Sequence, residues 1–110
     1  LLPMDVAKEL TFTGRIISGD EAAALGLVTH IDADPVARAT ALANEIAVRS
    51  PDSVAAAKYL LHEGWHGSDA EALSAERRWQ RRVMGGTNQR IAVKSNMEKT
   101  TLAYKPRKLK

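Results

Sequence analysis

Helix-start signals recur along this chain and constrain its fold more than any other feature. Ser18 and Ser68 are each followed three residues later by a glutamate, Glu21 or Glu71, which is the spacing of a capping box. In a capping box the two side chains accept hydrogen bonds from backbone N–H groups that have no partner inside the helix. Each pair therefore predicts the beginning of a helix.

Two further helices are predicted from a capping residue followed by proline. The dipeptides Asp34-Pro35 and Ser50-Pro51 place a side-chain acceptor directly before a proline at the first helical position. Proline is tolerated there because the N–H group that it lacks would have no helical partner. We predict helices over residues 35–48 and from residue 51 to about residue 62 or 63.

Apolar spacing and glycines complete the predicted arrangement. The other helices are predicted over residues 4–12, 18–25 and 68–84, with a last one starting at Thr87 or Asn88. Gly26 ends the second helix, and residues 27–31 (Leu-Val-Thr-His-Ile) have the composition of a short strand. The fold class predicted from these elements is mainly α with one short strand near residues 27–31.

Large apolar side chains are scarce. The chain is 45% hydrophobic but has one Phe, two Trp and two Tyr, and much of its apolar content is alanine. Alanine buries little area when hydrophobic stabilisation amounts to roughly 25 cal/mol per Å². We therefore expect the helices to pack against something else, with Trp65 and Trp79 as core or subunit-contact anchors.

Several classes of protein are excluded by composition. The chain has no cysteine, so disulfides, thiol catalysis and cysteine metal sites are absent, and a cytoplasmic location is expected. No apolar run approaches the roughly 20 residues that span a bilayer, so no membrane association is predicted. His62 and His66 have the spacing of a helical ligand pair, but Gly64 interrupts the helix and no third ligand is well placed, so no metal site is predicted.

Positive charge is concentrated at one end. The net charge is +3, and residues 99–110 contain five Lys or Arg residues and no acid. A nucleic-acid-binding domain spreads such charge over a folded face, so nucleic acid is not expected as a partner. We predict that this basic tail is flexible or docked on a partner.

Residues 7–28 carry the most specific pattern. Ala-Lys-Glu-Leu-Thr-Phe-Thr-Gly-Arg at 7–15 is followed by Glu21-Ala22 and then Gly26-Leu27-Val28. This pattern resembles, in spacing as well as in composition, a stretch shared by enoyl-CoA hydratases and isomerases of the crotonase superfamily. Looser agreement extends to Lys99.

The resemblance implies a fold and an assembly. It implies the C-terminal helical part of a crotonase-like α/β fold, whose core is a spiral of ββα units. Residues 1–34 would form the end of that core, residues 35–98 a helical oligomerisation region, and residues 99–110 the basic tail. Homo-oligomers are expected, as trimers or as hexamers formed from two trimers.

The resemblance also implies a function. An acyl-CoA-processing enzyme of fatty acid metabolism is expected. The preferred activity is that of an enoyl-CoA hydratase, which adds water to a 2-enoyl-CoA, and an isomerase that shifts the double bond is the other activity left open. The oxyanion-hole N–H groups and the carboxylates of the family lie upstream of the matching segment, so no catalytic residue is assigned here and the isolated chain is predicted to be inactive. No cofactor is expected beyond the coenzyme A thioester of the substrate. The alternative is a non-catalytic helical oligomerisation module.

One binding residue is carried over by motif position. The family's last helix can supply an aromatic residue and a lysine to the adenine-phosphate end of coenzyme A. The lysine falls on Lys99, while Asn96 takes the place of the aromatic residue. The alternative for Lys99 is a solvated surface lysine near a helix end.

Overall fold

Six α-helices follow one another in the computed structural model, which describes residues 2–109. Their bounds are α1 Met4–Thr13, α2 Gly19–Ala24, α3 Pro35–Ala47, α4 Pro51–Gly64, α5 Asp69–Val83 and α6 Thr87–Glu98. The mainly helical prediction is confirmed, and the helix starts lie where the capping patterns placed them.

The predicted capping groups at α2 and α5, except Glu21, form the expected hydrogen bonds. The Ser68 hydroxyl accepts from the backbone N–H of Glu71, and the Glu71 carboxylate accepts from the backbone N–H of Ser68 at 2.8 Å, so the full capping box is present at α5. At α2 the Ser18 hydroxyl accepts from the backbone N–H of Glu21 at 3.1 Å. The Glu21 carboxylate instead accepts from the Arg15 guanidinium at 2.7 Å.

The predicted strand at residues 27–31 is wrong. No strand is present in residues 2–109. A strand requires a neighbouring segment with which to form a ladder, and residues 27–31 pair with no other described segment in this way. Its first residue closes α2 instead, because the Leu27 N–H donates to the Ala22 carbonyl and the Gly26 N–H donates to the Ala23 carbonyl. This is a Schellman motif, and the φ of 77° at Gly26 is the left-handed conformation that it requires.

The chain divides into two compact units between Ala41 and Leu42, within α3. The first unit contains α1 and α2, neither of which has a buried residue. Arg15 joins these two helices by ion pairs with Glu9 and Glu21.

The second unit has a small core between α4 and α5. Ala56, Ala75 and Trp79 are buried, and the rings of Tyr59 and Trp79 stack with their centroids 4.9 Å apart. The Arg82 guanidinium lies 4.9 Å from the centre of the Trp79 ring on the same helix. Trp79 is therefore the core anchor that the sequence predicted, whereas Trp65 is 74% exposed.

The buried face of α4 differs from the expected one. Apolar spacing predicts an inner face of Val54, Ala57, Leu60 and Leu61. Leu60 packs against the core, but Val54 and Leu61 are exposed while Ala55 and Ala56 are buried. Two alanines let α4 approach its neighbours closely, so the preference for burying the larger side chains is overridden. In α3 no residue is buried, although its spacing also predicts an inner face.

The C-terminal tail is attached to its own chain. The backbone N–H groups of Lys108 and Leu109 donate to the Asp52 carboxylate in α4, and Leu109 packs against the Trp79 core. The Lys105 backbone exchanges two hydrogen bonds with the Asn88 side chain in α6. Backbone groups of the tail, rather than its cationic side chains, form these contacts, and docking of the cations on a partner stays a prediction.

Candidate functional site

Lys99 lies at a groove of about 650 Å³ in the second unit. The groove is lined by the residues preceding α4, the last turns of α6 and the start of the tail: Val48, Arg49, Ser50, Ser53, Ala92, Ser95, Asn96, Lys99, Thr100, Thr101 and Tyr104. The structure therefore brings the two motif residues, Asn96 and Lys99, to one surface.

The backbone of Lys99 adopts an unusual conformation. Its φ is 51°, and it is the one non-glycine residue with a positive φ in residues 2–109. Lys99 caps α6, because its N–H and that of Thr100 both donate to the Ser95 carbonyl. The Ser95 hydroxyl in turn donates to the Thr100 carbonyl. Left-handed backbone disfavours a side chain with a Cβ, so an ordinary helix end would have glycine or asparagine at this position.

The opposite wall of the groove is polar and includes a second cation, Arg49. Ser50 is buried, and its hydroxyl accepts a hydrogen bond from the Ser53 N–H at the start of α4. Neither Arg49 nor Lys99 forms an ion pair within the part of the chain that the structure describes. Both cations are therefore available to an anion in the groove.

An aromatic ring is also present, although Asn96 occupies the motif position. Tyr104 lines the same groove from the tail and is half-buried. The motif comparison missed Tyr104 and Arg49 because neither lies on α6. Tyr104 reaches the groove only because the tail after Lys99 turns back and is held at Lys105.

Other candidate sites are not assembled. Within residues 2–109 no group of three His, Asp or Glu side chains is placed to hold a metal ion. Among the described helices none is long and apolar enough to span a membrane.

The comparisons with known proteins identify the family. A family model described as Enoyl-CoA hydratase/isomerase matches residues 1–107. The chain belongs to this family. The resemblance drawn from residues 7–28 is thereby confirmed.

Individual members of the enoyl-CoA hydratase/isomerase family are similar over most of the chain. Mevalonyl-coenzyme A hydratase sidH of Aspergillus fumigatus is 31% identical over 107 residues, which cover 94% of this chain and 40% of that protein. Human enoyl-CoA hydratase domain-containing protein 2, mitochondrial, is 40% identical over 81 residues, which cover 68% of this chain and 28% of that protein. The chain thus spans well under half the length of these curated relatives.

A solved structure of the family is also similar. The crystal structure of an enoyl-CoA hydratase from Polaromonas sp. JS666 matches with a TM-score of 0.81 and 27% identity, covering 94% of this chain and 41% of that one. The helical fold described above is therefore similar to a part of that enoyl-CoA hydratase.

Proposed function

We propose that this chain is the helical C-terminal part of an enoyl-CoA hydratase, which adds water to a 2-enoyl-CoA. The observation that carries the proposal is the family match over residues 1–107, supported by the similar fold of an enoyl-CoA hydratase. The chain spans 40% of the hydratase sidH, so the catalytic carboxylates and oxyanion hole are proposed to lie in the rest of the protein. The isolated chain is then inactive.

Within this function, Lys99 is proposed to bind the phosphate groups at the adenine end of coenzyme A. Its ammonium group would form charge-assisted hydrogen bonds with phosphate oxygens, and Arg49 would add a second cation from across the groove. Tyr104 would supply the stacking surface that Asn96 does not. The support for this assignment is that Lys99, Arg49 and Tyr104 line one groove.

We also propose that the protein acts as a homo-oligomer, a trimer or a hexamer. Several large apolar side chains are more than two thirds exposed: Met4, Phe12, Ile16, Val36, Trp65 and Met97. Exposed apolar surface of this kind favours association, either with the rest of the protein or with another copy. The cytoplasmic location stays a prediction.

Steady-state kinetics of the intact protein with crotonyl-CoA test the proposal. We expect the intact protein to hydrate crotonyl-CoA and the 110-residue chain to show no hydration. Lys99→Ala should raise KM by about tenfold or more with kcat little changed, because the contact lies far from the reacting carbons and is made equally in the ground and transition states. Lys99→Arg should retain most of the affinity.

Lys94→Ala is the matched control, because Lys94 is an exposed lysine on α6 that does not line the groove. An equal rise in KM for Lys94→Ala would assign the effect to general surface charge. Failure of the intact protein to hydrate any 2-enoyl-CoA would reject the hydratase and leave an isomerase or a helical assembly module as the alternatives.

A further inference from the structure

The docked tail brings three cations to one groove. This groove, of about 280 Å³, is separate from the one at Lys99 and shares only Arg49 with it. Lys58 in α4 and Arg107 in the tail line it together with Arg49, and the remaining lining residues are apolar: Ile46, Ala47, Pro51, Val54 and Ala55. We call it the cationic groove.

None of the three cations is neutralised within residues 2–109. No carboxylate of these residues lies within 4 Å of Arg49, Lys58 or Arg107 in an ion pair. The acid nearest in sequence is Asp52, which follows a lining residue of the groove. Its carboxylate already accepts hydrogen bonds from the backbone N–H groups of Lys108 and Leu109 and from the Asn88 amide.

Docking of the tail is therefore opposed by charge and favoured by specific hydrogen bonds. Moving Arg107 next to Arg49 and Lys58 costs repulsion between like charges. Four hydrogen bonds to the tail offset that cost: two at Asp52 and two between Asn88 and Lys105. A further hydrogen bond joins Asn88 to Asp52. Like charges that the fold holds together beside an apolar surface create a local positive potential, which attracts an anion to the groove.

We propose that Arg49, Lys58 and Arg107 bind a phosphate-bearing anion in the cationic groove, and that the docked tail completes this site. Two guanidinium groups can each offer paired N–H donors to phosphate oxygens, and the Lys58 ammonium adds a point charge. Three positive charges match a diphosphate group. The proposal goes beyond the hydratase function, since it uses a second groove and does not need Lys99.

Isothermal titration calorimetry of the 110-residue chain with inorganic pyrophosphate tests the proposal by measuring the Kd. Arg107→Ala and Lys58→Ala should each raise Kd by about tenfold, the value of a charge-assisted hydrogen bond to phosphate. Arg107→Lys should bind with intermediate affinity. Arg77→Ala is the matched control, because Arg77 is an exposed arginine of α5 outside this groove, and its Kd should stay within about twofold of the unmodified chain. Circular dichroism verifies that each variant is folded.

Asp52→Ala distinguishes a tail-completed site from simple attraction to a basic surface. This change removes a negative charge, so simple electrostatics predicts tighter pyrophosphate binding. If the tail completes the site, releasing it removes Arg107 and binding becomes weaker instead. Tighter binding by Asp52→Ala, unchanged binding by Arg107→Ala, or an equal loss with Arg77→Ala would each overturn the proposal. A loss of pyrophosphate affinity with Arg107→Ala that is larger than the loss with Lys99→Ala assigns the anion to the cationic groove, and an equal loss with Lys99→Ala would overturn the proposal, because Arg107 lines only the cationic groove and Lys99 only the proposed coenzyme A groove.

Discussion

The side-chain amide of Asn88 donates to the Asp52 carboxylate across 2.8 Å and so joins α6 to α4. The Asn88 side chain is only 1% exposed, and it also donates to the Lys105 carbonyl at 3.0 Å and accepts from the Lys105 N–H at 2.8 Å. One buried amide therefore connects two helices and the C-terminal tail. Its removal affects all three elements.

Asn88→Ala should lower the free energy of unfolding by about 2 kcal/mol, because it leaves partners of a buried amide without hydrogen bonds. Urea denaturation followed by circular dichroism measures the change. Asn96→Ala is the control, since Asn96 is an exposed asparagine on the same helix, and it should change stability by less than about 0.5 kcal/mol. Equal losses for the two variants would show that the Asn88 contacts contribute nothing specific.

Asp52 should make the stability of the chain depend on pH. Partial desolvation alone would raise the pKa of Asp52, but hydrogen bonds from the Leu109 and Lys108 N–H groups and from Asn88, with the charge of Lys108, outweigh it and lower the pKa below its ordinary value. A lowered folded-state pKa means that the stabilisation is fully present above the unfolded-state pKa, about 3.9, and is lost as pH falls through the folded-state value.

Comparison with Asp52→Asn isolates this contribution from those of the other acids. The unmodified chain should be more stable than Asp52→Asn at neutral pH, and the difference should shrink as pH falls below about 4. Urea midpoints measured between neutral and strongly acidic pH give this difference. A gap that stays constant down to the acid limit would contradict the assignment.

The helix starts could be predicted from sequence because a cap is a local interaction. Ser68 and Glu71 are three residues apart, and the geometry of one helical turn suffices to bring them together. The prediction of a strand at residues 27–31 was wrong because a strand depends on a partner segment, which no local pattern specifies. The buried face of α4 was misplaced for a related reason: the burial of Ala55 and Ala56 is decided by the neighbouring elements.

The candidate site, like the fold, could be predicted only where its residues are close in sequence. Asn96 and Lys99 are separated by about one helical turn, so their place on one surface followed from the sequence. Arg49 and Tyr104 reach that surface through contacts between distant parts of the chain. Docking of the tail on Asp52 spans more than 50 residues of sequence, and the basic composition of the tail gave no indication of it.

Leu109→Ala should weaken the attachment of the tail. Leu109 is half-buried against the core cluster that contains Trp79, so truncation should lower the free energy of unfolding by about 1 kcal/mol, part of the value for a fully buried leucine. Leu73→Ala removes the same atoms from a side chain that is 59% exposed and should cost less. Chemical denaturation of both variants decides whether the tail contributes to the core.

Ser68→Ala should destabilise α5. The change removes the hydroxyl that accepts from the Glu71 N–H and donates to the Glu71 carboxylate, and loss of a serine cap costs about 1 kcal/mol. Ser74→Ala makes the same chemical change at an exposed position inside α5, where alanine is the better helix former. Thermal unfolding should therefore show a lower Tm for Ser68→Ala and an equal or higher one for Ser74→Ala.

Lys99→Gly should change stability and binding in opposite directions. Glycine adopts the left-handed conformation of residue 99 without a Cβ penalty, so the free energy of unfolding should rise by about 0.5 to 1 kcal/mol. The same change removes the ammonium group proposed to bind coenzyme A, so affinity for coenzyme A should fall. The left-handed conformation of a lysine at this position supports the proposal that its side chain has a task.

Lys94→Gly is the matched control, because it makes the same substitution inside α6, where glycine costs about 1 kcal/mol relative to alanine. It should lower stability and leave coenzyme A binding unchanged. Urea denaturation and calorimetry on the same preparations give both quantities. The Lys99→Gly chain could instead be more stable and bind coenzyme A with unchanged affinity. That result would show that Lys99 is not part of the proposed coenzyme A site.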